Sequence, residues 1–299
     1  MRILFFADRY GYEFMSIKRV MQEELESRGV EVLYQDKSKI RGVFTLTNEL
    51  HPDQVWLVDS GLVLPCDRSW IKAHVIGFGF SDPHYFSPGR LSSYDGYVTS
   101  HYSTYVKYRH IMPVLFSPDP YSPKYFKSMG IDRNMDATCI GRAVHPRFIN
   151  VNERIDYVDR LRRDTHVDIH AYGRGWPEHV DNHSQIVGDE LLKVINRSKV
   201  GLDIQGCLCS ISERVFHYSG CGIPVITRAG QEVEKVFVPG EEIITYEGYA
   251  ELRDKLKYYM GTPALLVKIG KAAQARCLAE HTVAHRIDNI LEFVEGKVA

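Results

Sequence analysis

The sequence predicts an α/β protein made of two Rossmann-like domains. Three observations carry that expectation. Compact apolar segments alternate with helix-length amphipathic segments along nearly the whole chain, which is the order of a parallel sheet covered on both faces. A proline-rich stretch of different texture, "SPDPYSPKYFKSMGIDRNMD" (117–136), interrupts the alternation near the middle and reads as an interdomain linker. The length of 299 residues exceeds one ordinary core and suits two domains. We place the boundary at 122, with residues 1–122 the first domain and 123–299 the second.

Each element has its own signal. "RILFFAD" is a short apolar run ending in Asp8, as expected of a strand buried on both faces. After a loop with Gly11, Phe14, Ile17, Met21 and Leu25 recur at helical spacing, and Gly29 closes the helix. "VEVLY", "QVWLVD", "HVIGFGF", "GYVTS" and "MPVLF" follow as strands. Beyond the linker, "DATCIG", "VDIHAYG" and "VGLDIQ" are strands, with "ERIDYVDRLRR" and "DELLKVINRS" the helices between them. "IPVIT", "VEKVFV" and "EEIITY" come next. Helices end the chain, the last in "HTVAHRIDNILEFV" with Thr282 at its N-cap, and this helix is expected to pack back toward the first domain.

Composition narrows the function. Lys and Arg total 37 against 38 Asp and Glu, a net charge of −1, so nothing favours a general electrostatic nucleic-acid binder. The six cysteines form no CxxC pair, and reduced thiols are expected. The apolar start is too short for a signal peptide, and no run approaches the roughly 20 apolar residues of a membrane span. A soluble, cytoplasmic protein without a tightly bound cofactor or metal is the expectation.

Candidate site residues cluster where strands end. "CSISERVFHYSGCGIPVIT" (209–227) places Glu213, Arg214 and His217 on one short helix and then turns at Gly220 and Gly222. Ser210-Ile211-Ser212-Glu213 matches a capping box, which puts the helix start near Ile211. Glu213 then either satisfies backbone donors or faces a ligand. Arg214 in a first helical turn is unfavourable unless an anion compensates, and a helix N-terminus beside a sheet edge is suited to phosphate. Gly220 and Gly222 answer the need of a sharp reversal for positive φ or a missing Cβ.

In "CIGRAVHPRF", Arg142 and Arg147 follow a strand, where two guanidiniums either grip a diphosphate or belong to a solvated loop. "AYGRGWPEH" sets Gly173 and Arg174 after another strand, but Pro177 interrupts the full GxGxxG pattern, which argues against a nicotinamide dehydrogenase. "FGFSDPHYF" places Asp82 and His84 at a strand end of the first domain, as an acid or base, with a turn at Asp82-Pro83 as the other reading. His281 and His285 lack the glutamate and third ligand of a zinc site.

Taken in order, "INRSKVGLDIQG", "SERVFHYSGCGIPVIT", "VEKVFVPGEEIITYEGYAELRDKLKYY" and "EHTVAHRIDNIL" resemble the sugar-donor half of GT-B glycosyltransferases, particularly the CgeB-like spore-maturation branch. "GFSDPHYF" and "VLFSPDPYSPKYF" are similar to that family's first-domain strand and interdomain segment. The resemblance implies transfer of a sugar, hexosyl or pentosyl and without a metal, from a nucleoside diphosphate donor, with a UDP-sugar as co-substrate, to an acceptor held by the first domain.

It matches Arg142 to a diphosphate contact of relatives, with Arg147 matched less securely; together with the residue reading, donor contacts are expected from Arg142, Arg147, Gly173, Arg174, Ser212, Glu213, Arg214, His217 and Gly222, acid–base work from Asp82 and His84, and acceptor contacts near Asp8 and Gly11. The family pattern "R-x-F-E" reads Arg214-Val215-Phe216-His217 here, so His217 stands where relatives hold the donor ribose with Glu. Two alternatives stay open. One is a modified DNA base as acceptor, bound by "SHYSTYVKYRH" (100–110), a stretch that otherwise reads as an amphipathic helix over the sheet. The other is a non-catalytic nucleotide-sugar-binding module.

Overall fold

In the computed structural model, the described residues are 1–8, 16–58, 62–80, 88–143, 151–180, 182–205 and 211–296. They form two compact units, Met1–Pro120 with Val283–Ala299, and Tyr121–Thr282.

The first unit is built in chain order from β1 (Arg2–Ala7), α1 (Ile17–Ser27), β2 (Glu31–Asp36), α2 (Val43–Leu50), β3 (Gln54–Leu57), β4 (His74–Gly79), β5 (Gly96–Thr99), α3 (Tyr102–Tyr108) and β6 (Val114–Phe116). The strands make one parallel sheet in the order β2-β1-β3-β4-β5-β6. Residues 3–7 of β1 and 55–57 of β3 are fully buried, which is why these strands read as unbroken apolar runs rather than alternating ones. Helix α1 buries Val20, Met21 and Leu25 and ends at Gly29, whose φ of 77° is the left-handed turn expected of a closing glycine. Helix α3 buries Thr104 and Tyr108, and the rings of Tyr102 and Tyr105 lie against Phe116 of β6. The aromatic residues of the 100–110 stretch are thus engaged in covering the sheet.

The second unit follows with β7 (Met135–Ile140), α4 (Val151–Thr165), β8 (Ile169–Tyr172), β9 (Asn182–His183), α5 (Gly188–Arg197), β10 (Ser198–Asp203), α6 (Glu213–Gly220), β11 (Val225–Arg228), α7 (Gln231–Glu234), β12 (Ile244–Tyr246), α8 (Tyr249–Met260) and α9 (Pro263–Glu280). Its parallel sheet has the order β12-β11-β10-β7-β8-β9. Strand β7 therefore has β8 on one side and β10 on the other, and the chain reverses its direction of winding there. Such a switch point opens a crevice at the carboxyl edge, between the loops that leave the two strands.

Helix α6 is seated by two glycines. A Cβ on Gly201 of β10 would lie 2.7 Å from the Tyr218 ring, so the missing side chain lets α6 settle directly on the sheet. The Tyr218 hydroxyl shares a 2.7 Å hydrogen bond with Thr138 of β7. At the far end, Gly220 gives room to the Tyr121 ring, 2.0 Å from where its Cβ would stand, while Gly222 carries the positive φ of 75°. The two conformational needs of the reversal are divided between these residues.

The 117–136 stretch is more structured than a free linker. Tyr121 and Phe126 are buried in the core around α6, and Asn196 holds the Met129 N–H at 2.8 Å and the Lys127 carbonyl at 3.1 Å. The last helix, α10 (Val283–Val294), groups with the first unit although it follows the second in sequence. Arg28 pairs with Asp288 and donates to the Ala284 carbonyl, and Arg286 donates to the Pro118 carbonyl at 2.9 Å. Phe293 lies against Gly96, where a Cβ would come within 2.9 Å of its ring. Residues 283–299, counted with the second domain in the sequence division, thus belong to the first compact unit. No helix among the described residues is long and apolar enough to cross a membrane, and Cys66, Cys139, Cys221 and Cys277 are free thiols.

Candidate functional site at the carboxyl edge of the second sheet

The loops leaving β7 and β8 are fastened to each other. The Gly141 N–H donates to the Tyr172 carbonyl at 2.8 Å, the Ala143 N–H to the Arg174 carbonyl at 2.9 Å, and the Trp176 indole to the Gly141 carbonyl at 2.9 Å. Gly173 makes this closeness possible. Its φ is 138°, and a Cβ there would lie 2.2 Å from the Gly141 carbonyl oxygen. The fastening brings Arg142 and Arg174 onto adjacent loops with both side chains exposed. Two cations thus stand at one sheet edge, while Arg147, the partner expected for Arg142, lies outside the described residues.

On the other side of β7, Asp203 ends β10 and accepts three hydrogen bonds, from Ser212 Oγ at 2.7 Å, Thr227 Oγ1 at 2.9 Å and Gln205 Nε2 at 3.3 Å. The position of the helix start corrects the capping-box reading, whose capping serine, Ser210, lies outside the described residues. The Ser212 hydroxyl is taken by Asp203, so Ser212 stands at the N-cap without capping through its side chain, and the helix starts at Glu213 rather than near Ile211. Glu213 is the first helical residue, where its charge suits the helix dipole, and Arg214 follows it with Nη2 3.9 Å from the Glu213 carboxylate. Replacing Asp203 by alanine strips a partner from two hydroxyls and is expected to lower stability by about 1–3 kcal/mol. Urea unfolding of Asp203→Ala against wild type measures it, and a change below 0.5 kcal/mol (about the noise of such a comparison) would refute the role.

Arg154, which sequence reasoning did not single out, ties these two halves together. From the first turn of α4 its Nη1 donates to the Arg142 carbonyl at 2.5 Å and its Nε to the Ile204 carbonyl at 2.6 Å. Gly141 accommodates it, since a Cβ there would fall 2.8 Å from Nη1. Burial is the main influence on the Arg154 guanidinium and lowers its proton affinity; the Arg214 charge also lowers it, while the Cys139 thiol and Asp203 favour the proton. Its neighbour Glu153 pairs with Arg228 of β11 at 3.0 Å. Hydrogen bonds and this ion pair thus run without a break from the β8 loop through β7, α4 and β10 to the start of α6 and the end of β11.

His217 lies further along α6, buried, with its ring stacked on Phe126 at 3.7 Å between centroids and 8° between planes. Burial pushes its pKa down to about 4, with Arg214 acting in the same direction and Glu213 against it, so the ring is neutral at pH 7. Its Nδ1 is buried with no hydrogen-bond partner among the described residues. Gly222 is not brought to the carboxyl edge. It closes the other end of α6, where Arg133 donates to its carbonyl at 3.0 Å, so its constraint is one of backbone turning. In the first unit, Asp8 ends β1 and is paired with Lys18 at 2.7 Å and Lys37 at 3.7 Å. Gly11, Asp82, His84 and Arg147 lie outside the described residues.

The fold is the GT-B fold, two parallel α/β sheets in two units, and three solved structures resemble it over essentially the whole chain. A sucrose-phosphate synthase from Thermosynechococcus elongatus superposes with a TM-score of 0.72 and 11% identity, covering 100% of both chains. Anabaena HepE, solved with UDP and glucose, gives 0.71 and 12%, covering 99% of this chain and 100% of its own. AviGT4, a glycosyltransferase of avilamycin A biosynthesis, gives 0.69 and 11%, covering 99% and 97%. Residues 154–292, somewhat under half the chain, match a family model described as glycosyl transferase-like. The matched region opens at Arg154 and contains α6 entire. No curated protein matches the sequence.

Proposed function

We propose that the protein transfers a sugar from a nucleoside diphosphate sugar, with a UDP-sugar the first donor to test, to an acceptor bound by the N-terminal unit. The observation that supports this reading best is the continuous hydrogen-bonded edge described above. It gathers Arg142, Arg174 and the amino end of α6 around one switch point, the arrangement that stabilises charge growing on a departing diphosphate without a metal. HepE was solved with UDP and glucose, and the shared fold brings that ligand class here as a proposal.

In this reading Arg142 and Arg174 take the diphosphate with Arg147 in support, Gly173 lets the loops approach, and Ser212, Glu213 and Arg214 form the helix end facing it. His217 replaces the family's glutamate at the donor ribose. As a neutral ring with an unpartnered Nδ1 it offers an acceptor or a donor according to tautomer, where glutamate offers only acceptors. Asp82 and His84 supply acid–base chemistry, with Asp8 and Gly11 on the acceptor side. The sequence strings place the chain nearest the CgeB-like branch, and either hexosyl or pentosyl transfer fits.

Arg142 provides the direct test. Its side chain is exposed, so Arg142→Ala is expected to keep the wild-type melting temperature while turnover of the preferred nucleotide-sugar falls at least about tenfold, the loss of one charge-assisted phosphate contact. Screening wild type against a panel of nucleotide-sugars by thermal shift and by nucleoside diphosphate release identifies the donor. Undiminished transfer by Arg142→Ala removes that residue from the site. A wild-type protein that binds donors but never releases nucleoside diphosphate, even slowly by hydrolysis, is a binding module.

A further inference from the structure

At the β9 edge of the second sheet two histidine rings face each other. Strands β8 and β9 pair in parallel with Tyr172 opposite His183, so His183 shares a face with every second residue of β8, His170 included. His170 Nδ1 stands 3.3 Å from His183 Nε2, and on the other side of the ring His170 Nε2 meets the Asp168 carboxylate at 2.8 Å. We infer that these two facing nitrogens are the protein's ligands for a divalent cation of the zinc type. The proposed sugar transfer makes no use of such an ion, so the site lies beyond that reading.

The spacing favours a metal over a simple hydrogen bond. At 3.3 Å the two nitrogens are further apart than the about 2.7–3.2 Å of an ordinary N–H donor bond. Two ligands of a tetrahedral zinc, with bonds of about 2.0–2.1 Å, stand about 3.3–3.4 Å from each other. A right-angled pair, as around square-planar copper, would stand closer, at about 2.9 Å. Asp168 fixes the tautomer. A carboxylate only accepts, so the His170 hydrogen lies on Nε2, and the neutral ring carries its lone pair on Nδ1, turned toward His183. The same carboxylate–imidazole arrangement orients histidines on metals and raises their basicity.

His183 presents Nε2 in the same way once its own hydrogen is on Nδ1. Its ring stacks on Tyr172, with centroids 4.5 Å apart and planes at 17°, and Tyr172 is itself buried with Met135, Ile186 and Val194. Both ligands are thus oriented before an ion arrives. The His170 side chain is 20% exposed and that of Asp168 60%, which leaves a way in from solvent. No third His, Cys, Asp or Glu joins them as a ligand among the described residues, so water fills the remaining positions. Bridging the rings would fasten β9, joined to β8 through two residue pairs, by its side chains as well. The His183 carbonyl accepts the Gly173 N–H at 3.2 Å, so the clamp extends to the start of the β8 loop.

Calorimetric titration of the chelator-treated full chain with zinc chloride at neutral pH tests the assignment, with thermal melting run on the same samples. Wild type is expected to take up zinc at a saturable site and to melt at a higher temperature with zinc than without. His170→Ala and His183→Ala should each lose that site and the zinc-dependent rise in melting temperature. Asp168→Asn keeps both ligands but weakens the carboxylate behind one of them, and its zinc affinity should fall about ten- to a hundredfold. Should either alanine variant fail to fold, Asp168→Asn, altered at a largely exposed side chain, carries the test. A wild type that binds no zinc has only a hydrogen bond between the rings, and the inference is then wrong. Zinc uptake undiminished in either alanine variant, or in Asp168→Asn, places the ion elsewhere and overturns it equally. None of these readouts involves a nucleotide, so they stand or fall apart from the transferase reading.

Discussion

Gly173→Ala is expected to lose roughly 2–5 kcal/mol of stability and, with it, nucleotide binding. Two independent costs combine. At a φ of 138° an L-residue is strained whatever space surrounds it. The added Cβ would also stand 2.2 Å from the Gly141 carbonyl oxygen, a main-chain atom held by the Trp176 indole that has no rotamer by which to move aside. Relief requires the β8 loop to part from the β7 loop, and that separates Arg174 from Arg142. Urea unfolding and UDP titration of the same variant measure both consequences. A folded Gly173→Ala with wild-type stability would show that the two loops are not fastened in solution as described.

A pH dependence centred on His217 has the second-largest expected effect. Its folded-state pKa is held down to about 4 by burial, against about 6.5 when unfolded. The unfolded chain therefore binds a proton that the folded chain refuses. Stability is highest above about pH 6.5, falls as pH drops below that value, and levels off near pH 4, by then having lost about 3 kcal/mol through this residue. Carboxylates titrate in the same window, so the quantity to measure is the difference between wild type and His217→Gln in urea unfolding at several pH values between 4 and 7. The difference should shift toward the variant as pH falls. Equal acid sensitivity in both proteins would mean that the ring is not confined against Phe126. The neutral imidazole this implies at pH 7 is also the form proposed to meet the donor ribose, so binding and acid stability share one residue.

Both sheets were legible in the sequence because a strand buried on both faces must be apolar at consecutive positions, as in "RILFFAD" and "HVIGFGF", and such runs report that directly. Strand β9 left no such trace. It is two residues long, Asn182–His183, and exists only because the edge of β8 has room for a neighbour. The start of α6 was misplaced for a related reason. The capping-box pattern counts Glu213 as the third helical residue after Ser210, whereas the helix begins at Glu213 itself, with Ser212 at the N-cap and its hydroxyl held by Asp203, nine residues earlier in the chain. Arg142, Arg174, Ser212 and Glu213 could be proposed from their places after strands or before a helix. Arg154 offered no such cue, being one of several arginines on an amphipathic helix.

The alternation of apolar and amphipathic segments and the turning glycine at Gly222 were settled by sequence alone, because each answers a local demand of backbone geometry or of burial. Which strand neighbours which was decided by tertiary structure, and so was the closing of two loops and one helix end around a single arginine. Those are relations between residues distant along the chain, and hydrogen bonds such as that from Arg154 to Ile204, 50 positions away, are fixed by the order of strands in the sheet rather than by any pattern the intervening residues carry.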